Sequence, residues 1–378
     1  MKKILLIIAM CSVTFALGAQ NKDNLISKIE KAQAAVENPK KASKPATWMK
    51  LGETYLTAYN EMRGFCKIGF NKTDVAIFTN SKPISTEQVT LSDGMPYTIE
   101  HYEYRDLYYN NEEKVAAIII TKPLVEESLL AHARDAYLKA AEIDVKGSKK
   151  KDIVEKLDEI RQYLIDDAYS YYMLGDNANA APNFRESLAC WDNPLVNKID
   201  SMTVYYTGIT YNITGEYEKA KEYFNRCMEI NYKAQGDVPA ALAEIAKKEG
   251  NVDLAKKYLN DAFAEFPTSQ PVLISLINIY LETNDDPAKI LDLISTAQKN
   301  EPDNASLVYA EGNVFKSLKD YDKAIECYER SLKIDNNYLY SIYAIGNAWF
   351  DRAIDVQDEM NKIDINDVEG YEKLLKTF

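Results

Sequence analysis

The chain has 378 residues, of which 46% are hydrophobic, so it is long enough and apolar enough to bury a substantial core. Its formal net charge is −13 and it has no basic stripe, which argues against nucleic acid as a partner. It contains no His-x-x-x-His, Gly-x-Ser-x-Gly, phosphate-binding loop or dinucleotide motif, so we expect no enzyme activity, no metal and no cofactor.

Residues 1–19 have the pattern of a secretory signal peptide. Two lysines precede an apolar run that ends in small residues, and we expect cleavage after Ala19. The run has about 16 residues, fewer than the ~20 that a membrane span needs. Met10 precedes Cys11 where a lipoprotein signal has a small residue, so lipidation is not expected. The sequence predicts a periplasmic, secreted or outer-envelope protein that does not span the membrane after cleavage.

Two amphipathic patterns open the mature chain. Residues 20–44 contain a predicted helix over 23–38 and then a lysine-rich connector. Residues 48–59 predict the first helix of a unit that extends over 45–145. The partner of this helix does not follow directly, which indicates that the unit is interrupted.

The interruption, residues 64–122, is predicted to be β-rich. Short β-prone runs separated by turn residues predict a small antiparallel sheet with strands at 75–79, 88–91, 97–104 and 115–121. Pro123, followed by two glutamates, predicts the start of the next helix. That helix carries Ala133, Tyr137 and Ala140 at the spacing of a second helix. We therefore predict one helix pair that is split by an insert.

From residue 149 to 378 the chain repeats pairs of amphipathic helices. The best preserved pair, residues 305–337, has Gly312 in the middle of its first helix and Ala324 on its second. A small residue at the middle of a helix fits the close passage of another helix. Gly312 and Gly346 are 34 residues apart, the period of the tetratricopeptide repeat.

Further matches are the run Trp48…Leu51-Gly52…Tyr55, the Gly-x-Tyr-x-x-Ala turn after Gly215, and Pro267 and Pro302 after second helices. On these residues the chain resembles the tetratricopeptide repeat family. The resemblance implies an all-α fold, a right-handed superhelix (α-solenoid) of helix hairpins with a small β-rich insert in the first repeat. The other repeats are expected at 161–193, 201–233, 236–268, 270–303, 305–337 and, incomplete, 339–378.

The last helix of this series is predicted to begin at Tyr371, and it would end before it covered its neighbour. Terminal repeats normally carry a polar capping face. We therefore expect the chain to be truncated at this end. The composition, rich in tyrosine and lysine and poor in arginine, is typical of an envelope protein of a Gram-negative, Bacteroidetes-like bacterium.

In this family the first helices line a concave groove that binds a protein or peptide, so the resemblance implies which residues contact a partner. Tyrosine offers a large contact area at low entropic cost, and asparagine can bond a peptide backbone. The alternative is that the tyrosines mainly pack helix against helix. The groove positions are Tyr169, Tyr172, Tyr205, Asn212, Tyr309, Asn313, Lys316, Tyr343, Asn347 and Phe350.

The insert provides a second candidate surface, because several tyrosines cluster in it. In strict strand alternation Tyr102 and Tyr104 share one face, which would bind a protein or a glycan, or else pack the sheet against the first repeat. The sequence predicts a non-enzymatic scaffold or adaptor for protein–protein interactions in the cell envelope. The alternative is a glycan- or nutrient-binding accessory protein that uses this aromatic insert.

Two groups of reactive side chains, the cysteines and one acidic pair, are not predicted to take part in chemistry. The four cysteines outside the signal peptide match no zinc pattern and are predicted to be buried core thiols, with a disulfide as the alternative. The acidic pair Asp166-Asp167 is predicted to lie on a solvated helix face, with a place lining the interior of the superhelix as the alternative.

Overall fold

The computed structural model describes residues 18–79, 81–91, 93–283, 285–364 and 367–375. The predicted signal peptide therefore lies almost entirely outside the described residues, as do Cys11 and the last three residues. In the described part, no helix is long and apolar enough to cross a membrane. The chain divides into two compact units, Met1–Arg226 and Cys227–Phe378.

The first unit is mostly helical and includes one antiparallel sheet. Its helices are α1 Gly18–Glu37, α2 Pro39–Ala42, α3 Pro45–Arg63, α4 Lys72–Thr79, α5 Leu129–Ile143, α6 Lys150–Met173, α7 Asn177–Ala189 and α8 Ser201–Ile213, followed by α9 Tyr217–Glu229, which contains the boundary between the units. Apolar side chains that recur every three to four residues make α6 amphipathic, and Ile153, Leu157, Ile160 and Leu164 are all buried in the core with α1, α3 and α5.

The second unit consists of helix pairs. Its helices are α10 Asp237–Lys248, α11 Val252–Glu265, α12 Gln270–Glu282, α13 Pro287–Asn300, α14 Ala305–Ser317, α15 Tyr321–Ile334, α16 Leu339–Met360 and α17 Val368–Leu375. Alanines and branched apolar residues of α10 to α14 form its main core, in which Leu259, Leu276 and Ile290 are buried. A smaller core joins α15 to α16 through Tyr328, Ala344 and Ala348.

A glycine under an aromatic ring closes three of the helix hairpins. A Cβ atom built on Gly208 of α8 would lie 2.7 Å from the ring of Phe224 in α9. On Gly312 of α14 it would lie 2.5 Å from the ring of Tyr328 in α15, and 3.1 Å from the carbonyl oxygen of Ala324. The prediction that Gly312 is a packing residue is therefore confirmed.

The same contact identifies the split repeat. A Cβ atom on Gly52 of α3 would lie 2.7 Å from the ring of Tyr137 in α5, although the two helices are separated by the insert. The side chains of Ala133, Tyr137 and Ala140 are buried in the core that α3 and α5 share. The fold is thus an α-solenoid of helix hairpins with a small β-sheet region inside its first hairpin.

The insert contains one helix, α4, and four strands in the order β1-β2-β3-β4, each antiparallel to the next. The strands are β1 Ser85–Thr90, β2 Pro96–His101, β3 Arg105–Tyr109 and β4 Val115–Ile120. Strand β4 attaches the sheet to α6, because the backbone N–H of Ile118 donates a hydrogen bond of 3.1 Å to the hydroxyl oxygen of Ser170.

Two strand predictions are wrong. Residues 75–79 belong to α4, because Asn71 and Asp74 form a reciprocal cap, in which each side-chain oxygen accepts from the backbone N–H of the other. The predicted strand 97–104 ends at His101, and the chain turns there into β3, a strand that was not predicted. Tyr102 and Tyr104 therefore lie in a turn and do not share a strand face.

The predicted helix start at Pro123 is also wrong. Helix α5 begins at Leu129, since Ser128 is its N-cap and its hydroxyl accepts a hydrogen bond of 3.2 Å from the N–H of Ala131. The four cysteines in the described part of the chain are buried and form no disulfide there, which confirms their interpretation as core thiols.

Candidate protein-binding surfaces

Three of the four predicted groove residues of the first unit lie in one aromatic cluster. The ring of Tyr169 on α6 lies edge-on to Phe184 and Tyr206, at centroid distances of 5.0 and 5.2 Å. Tyr172 and Tyr205 each pack against Tyr206 at 5.6 Å. The structure therefore brings three predicted tyrosines together, around Tyr206, which was not predicted.

Asn212, the fourth predicted residue of this unit, lies on α8 and is half-buried. In the described part of the chain, its Oδ1 is buried without a hydrogen-bond partner. A buried acceptor of this kind normally receives a hydrogen bond, so leaving this oxygen without one lowers the stability of the folded chain.

Three predicted residues of the second unit are already engaged within the protein. Tyr309 packs against the rings of Tyr328 and Tyr338, at 5.6 and 5.7 Å. The Oδ1 atom of Asn313 accepts a hydrogen bond of 2.8 Å from the hydroxyl of Tyr328. The ammonium of Lys316 lies 2.8 Å from a carboxylate oxygen of Asp351. For these residues the alternative interpretation, packing between helices, fits the structure.

The three predicted residues on α16 are open. Tyr343 is 73% exposed, Phe350 is 64% exposed, and Asn347 is exposed as well. At about 100° per residue, their side chains project within an arc of about 60° on one side of the helix. This is the part of the predicted groove whose aromatic and amide side chains are accessible to another protein.

The insert does not present the predicted aromatic surface. Tyr102 is buried, donates a hydrogen bond of 2.9 Å from its hydroxyl to Glu100, and stacks under the guanidinium of Arg105 at 4.5 Å. Tyr104 is half-buried and packs against the core of the first unit. These contacts favour the interpretation that the tyrosines fix the sheet to the first repeat rather than bind a glycan.

The prediction that Asp166 and Asp167 are solvated is wrong, because both carboxylates pair with Arg63. The Arg63 side chain is 0% exposed, and its Nη1 and Nη2 lie 2.7 Å from Asp167 and 3.0 Å from Asp166. Its Nε donates to the carbonyl oxygen of Cys66 at 3.1 Å. Arg63 is the last residue of α3, so this network joins α3 and the start of the insert to α6.

A tyrosine hydroxyl completes this network. The hydroxyl of Tyr59 donates to both carboxylate oxygens of Asp167, at 2.8 and 2.9 Å, and accepts from Arg63. Burial raises the pKa of Asp167 to about 6, against the opposing attraction of Arg63 and the Tyr59 hydrogen bond. In the described residues, no group of three or more histidine, cysteine or acidic side chains is placed to hold a metal ion.

The raised pKa predicts a pH effect on stability. The pKa of an aspartate in an unfolded chain is about 3.9, so protonation of Asp167 favours the folded state. This contribution is fully present below about pH 4 and is lost as the pH rises through about 6. Between about pH 7 and pH 5, the wild type should gain roughly 1 kcal/mol of unfolding free energy relative to Asp167→Asn.

Urea unfolding of both proteins at the two pH values measures this difference. An Asp253→Asn variant, changed at an exposed acid of α11, is the control. If the difference between the wild type and Asp167→Asn does not change with pH, folding does not raise the pKa of Asp167; a change of the opposite sign would mean that folding lowers it.

Two stretches of the chain match family models described as tetratricopeptide repeats, residues 208–233 and 308–338. Each begins at or near the glycine of one of the hairpins described above. The chain therefore contains tetratricopeptide repeats. Proteins with such repeats are generally non-enzymatic scaffolds for protein–protein interactions, and the matches indicate no catalytic family. No match was found among curated proteins.

Several solved structures are similar to this chain. A tetratricopeptide repeat protein from Parabacteroides merdae is 16% identical, with 58% of this chain and 92% of that chain covered and a TM-score of 0.38. A thermophilic repeat protein from Thermus thermophilus is 19% identical, with coverages of 50% and 99% and a TM-score of 0.39. The C-terminal part of a repeat protein from Cytophaga hutchinsonii is 14% identical, with coverages of 61% and 97% and a TM-score of 0.40.

Proposed function

We propose that this chain, which contains tetratricopeptide repeats, is a non-enzymatic scaffold or adaptor that binds a peptide or protein partner with side chains of its first helices. The observation that carries the proposal is the exposure of Tyr343 and Asn347 on α16. Exposed tyrosine next to exposed amide is a combination typical of protein interfaces, and the family resemblance implies both positions as partner contacts.

The chemistry of these two side chains suggests the kind of partner. An asparagine amide donates and accepts, so it can bond a backbone amide of an extended peptide. A tyrosine ring beside it buries apolar area with few rotatable bonds. The carboxylates of Asp351 and Asp355, on the same helix, are occupied by Lys316 and Lys319. A peptide with an apolar or aromatic side chain therefore suits this surface better than one recognised through its charge.

We also propose that the protein works in the cell envelope of a Gram-negative bacterium. This part rests on the signal-peptide pattern of residues 1–19 and on the composition of the chain. A fusion of residues 1–30 to a reporter enzyme that is active only outside the cytoplasm tests it. Export of the reporter supports the proposal, and retention in the cytoplasm contradicts it.

The binding proposal is tested by pull-down from an envelope extract with the chain from residue 20 onward as bait. The double variant Tyr343→Ala/Asn347→Ala should bind its partner roughly thirtyfold more weakly than the wild type, because two truncations at an interface centre, each on the order of 1 kcal/mol, cost about 2 kcal/mol together. Val145→Ala, changed at a side chain that is 93% exposed in the first unit, should behave as the wild type does.

Quantitative mass spectrometry of the recovered proteins gives the readout. If no protein is specifically recovered, or if the double variant recovers the same proteins in the same amounts as the control, α16 does not carry the binding surface.

A further inference from the structure

Helix α16 has an apolar face on the side opposite its core contacts. Ser341, Ala344 and Ala348 are buried against the preceding hairpin. The opposite side exposes large apolar residues, with Trp349 at 47% and Phe350 at 64%, and their neighbours Leu339 and Ile342 are also exposed. A helix that is apolar on all sides is normally covered on all sides. Something outside the described residues is therefore expected to cover this face.

The other hairpins of this protein show what covers such a face. Gly52, Gly208 and Gly312 each lie under an aromatic ring of the second helix of the hairpin. Gly346 occupies the same register one repeat after Gly312, but a Cβ atom built on it meets no described atom within 4 Å. Gly346 is thus the fourth glycine of this series, but no aromatic ring of the described residues covers it.

The second helices share a simple pattern, which is a small residue followed four positions later by an aromatic residue. The pairs are Ala133 with Tyr137, Ala220 with Phe224, and Ala324 with Tyr328. In the α14–α15 hairpin, Gly312 contacts both members of its pair, the Tyr328 ring and the Ala324 carbonyl oxygen. This hairpin contact therefore combines a glycine on the first helix with a pair on the second helix, a small residue and an aromatic residue four positions later.

Helix α16 carries both halves of this contact. Gly346 is the glycine, and it is also the small residue of a pair whose aromatic member, four positions on, is Phe350. At about 100° per residue, the two side-chain positions differ by about 40°, so they point to the same side of the helix. The face is complementary to itself, which is the condition for a two-fold symmetric contact.

We propose that α16 binds α16 of a second copy of this chain, with the two helices antiparallel and Phe350 of each copy packed on Gly346 of the other. The exposed Ile342 and Trp349 flank the contact and would lose water on association. In this register the two-fold axis crosses the helix pair at the level of residue 348.

The charges of α16 favour the antiparallel orientation. Its C-terminal end is acidic, with Asp358 and Glu359, whereas its N-terminal part, residues 339–349, has no charged residue. Antiparallel helices place each acidic end beside an uncharged end. Parallel helices would bring the two acidic ends together, which is unfavourable.

The mass of the full chain in solution, measured by light scattering after size exclusion, tests the proposal. The wild type should have the mass of two chains, and Phe350→Ser and Gly346→Arg should have the mass of one. Ile213→Ser removes a similarly exposed apolar side chain from α8 in the first unit and should remain a dimer. Far-ultraviolet circular dichroism checks that each variant keeps its helices, and Phe350→Ser, at an exposed position, is the variant least able to disturb the fold.

The orientation is tested with nitroxide labels. The four cysteines in the described part of the chain are buried, and burial raises the pKa of the Cys190 thiol to about 12 and of Cys327 to about 11, so introduced surface cysteines react selectively. A label at Glu359 lies 11 residues from the axis, so antiparallel copies place the two Cα atoms about 33 Å apart along the helices.

Three outcomes overturn the proposal. A wild type that has the mass of one chain up to the highest concentration reached excludes the contact. A dimer that persists in both Phe350→Ser and Gly346→Arg forms through another surface. A short distance between labels at residue 359 shows that the helices are parallel.

Discussion

Replacement of Arg63 by methionine is expected to lower the free energy of unfolding by about 3–5 kcal/mol, the largest effect of any single substitution considered for this protein. The guanidinium is fully buried and satisfies two carboxylates, Asp166 and Asp167. Methionine fills much of the volume but leaves both acids without their counter-charge in a site that water reaches only partly. The cost is that of an uncompensated buried charge, not of one lost hydrogen bond.

Urea unfolding followed by circular dichroism measures this loss. Arg330→Met is the matched control, because Arg330 is largely exposed and its 3.5 Å ion pair with Glu311 should be worth less than about 1 kcal/mol. Removing the acids together with the arginine, in Arg63→Met/Asp166→Asn/Asp167→Asn, should recover part of the loss. If Arg63→Met is as stable as Arg330→Met, the network does not hold α3 to α6.

Alanine at Gly312 is expected to destabilise the protein by about 1–3 kcal/mol, whereas alanine at Gly346 is expected to stabilise it by up to about 1 kcal/mol. Alanine is the better helix former at both sites, so the opposite signs come from packing alone. The new methyl group at Gly312 would lie 2.5 Å from the ring of Tyr328, and at Gly346 it meets no described atom within 4 Å.

Thermal unfolding of the two variants in dilute solution, where any self-association is absent, separates these effects. Gly208→Ala, under the ring of Phe224, should behave as Gly312→Ala does, since the contact is the same. Equal changes in the unfolding temperature at Gly312 and Gly346 would contradict the assignment of Gly312 as a position of close helix contact.

The helices of the repeats could be predicted from the sequence because their apolar periodicity and their glycine register point to the same fold. Gly312 is predicted to lie at a close helix contact because it is a small residue in the middle of a helix, and the structure places the Tyr328 ring over it. Gly52 and Tyr137 lie far apart in the chain, yet each fits one half of the same pattern. The contact between a glycine and an aromatic ring therefore forms in the first repeat as well, although the insert separates its two helices.

The insert could not be predicted to the same depth, because its elements depend on hydrogen bonds between a few side chains and the backbone. Residues 75–79 have β-branched and aromatic side chains, but they follow the reciprocal cap of Asn71 and Asp74, which starts a helix. The start of α5 likewise depends on Ser128 rather than on Pro123. Composition alone does not show which of two candidate capping residues starts a helix, or whether a β-prone segment becomes a helix or a strand.

The burial of Asp167 was missed, although the sequence contained a signal for it. Leu164 and Tyr171 lie one turn before and one turn after it on α6, so helical periodicity places Asp167 beside the apolar stripe. What the sequence could not supply was the partner, since Arg63 is about a hundred residues away and is brought near only by the packing of α3 with α6 and the insert.

The most direct test of the central claim, that the open side chains of α16 bind a protein, is photocrosslinking from position 343. A photoreactive phenylalanine analogue replaces Tyr343 in cells that produce the full chain, and the same analogue at Val145 is the control. We predict a specific adduct to another protein from position 343 and none from position 145. Tyr343 lies on the side of α16 that the proposed self-association would cover. An adduct with the mass of two chains and none to another protein would therefore support the self-association and contradict the binding of a different partner. If position 343 gives only the background seen at position 145, the claim that α16 carries the binding surface is wrong.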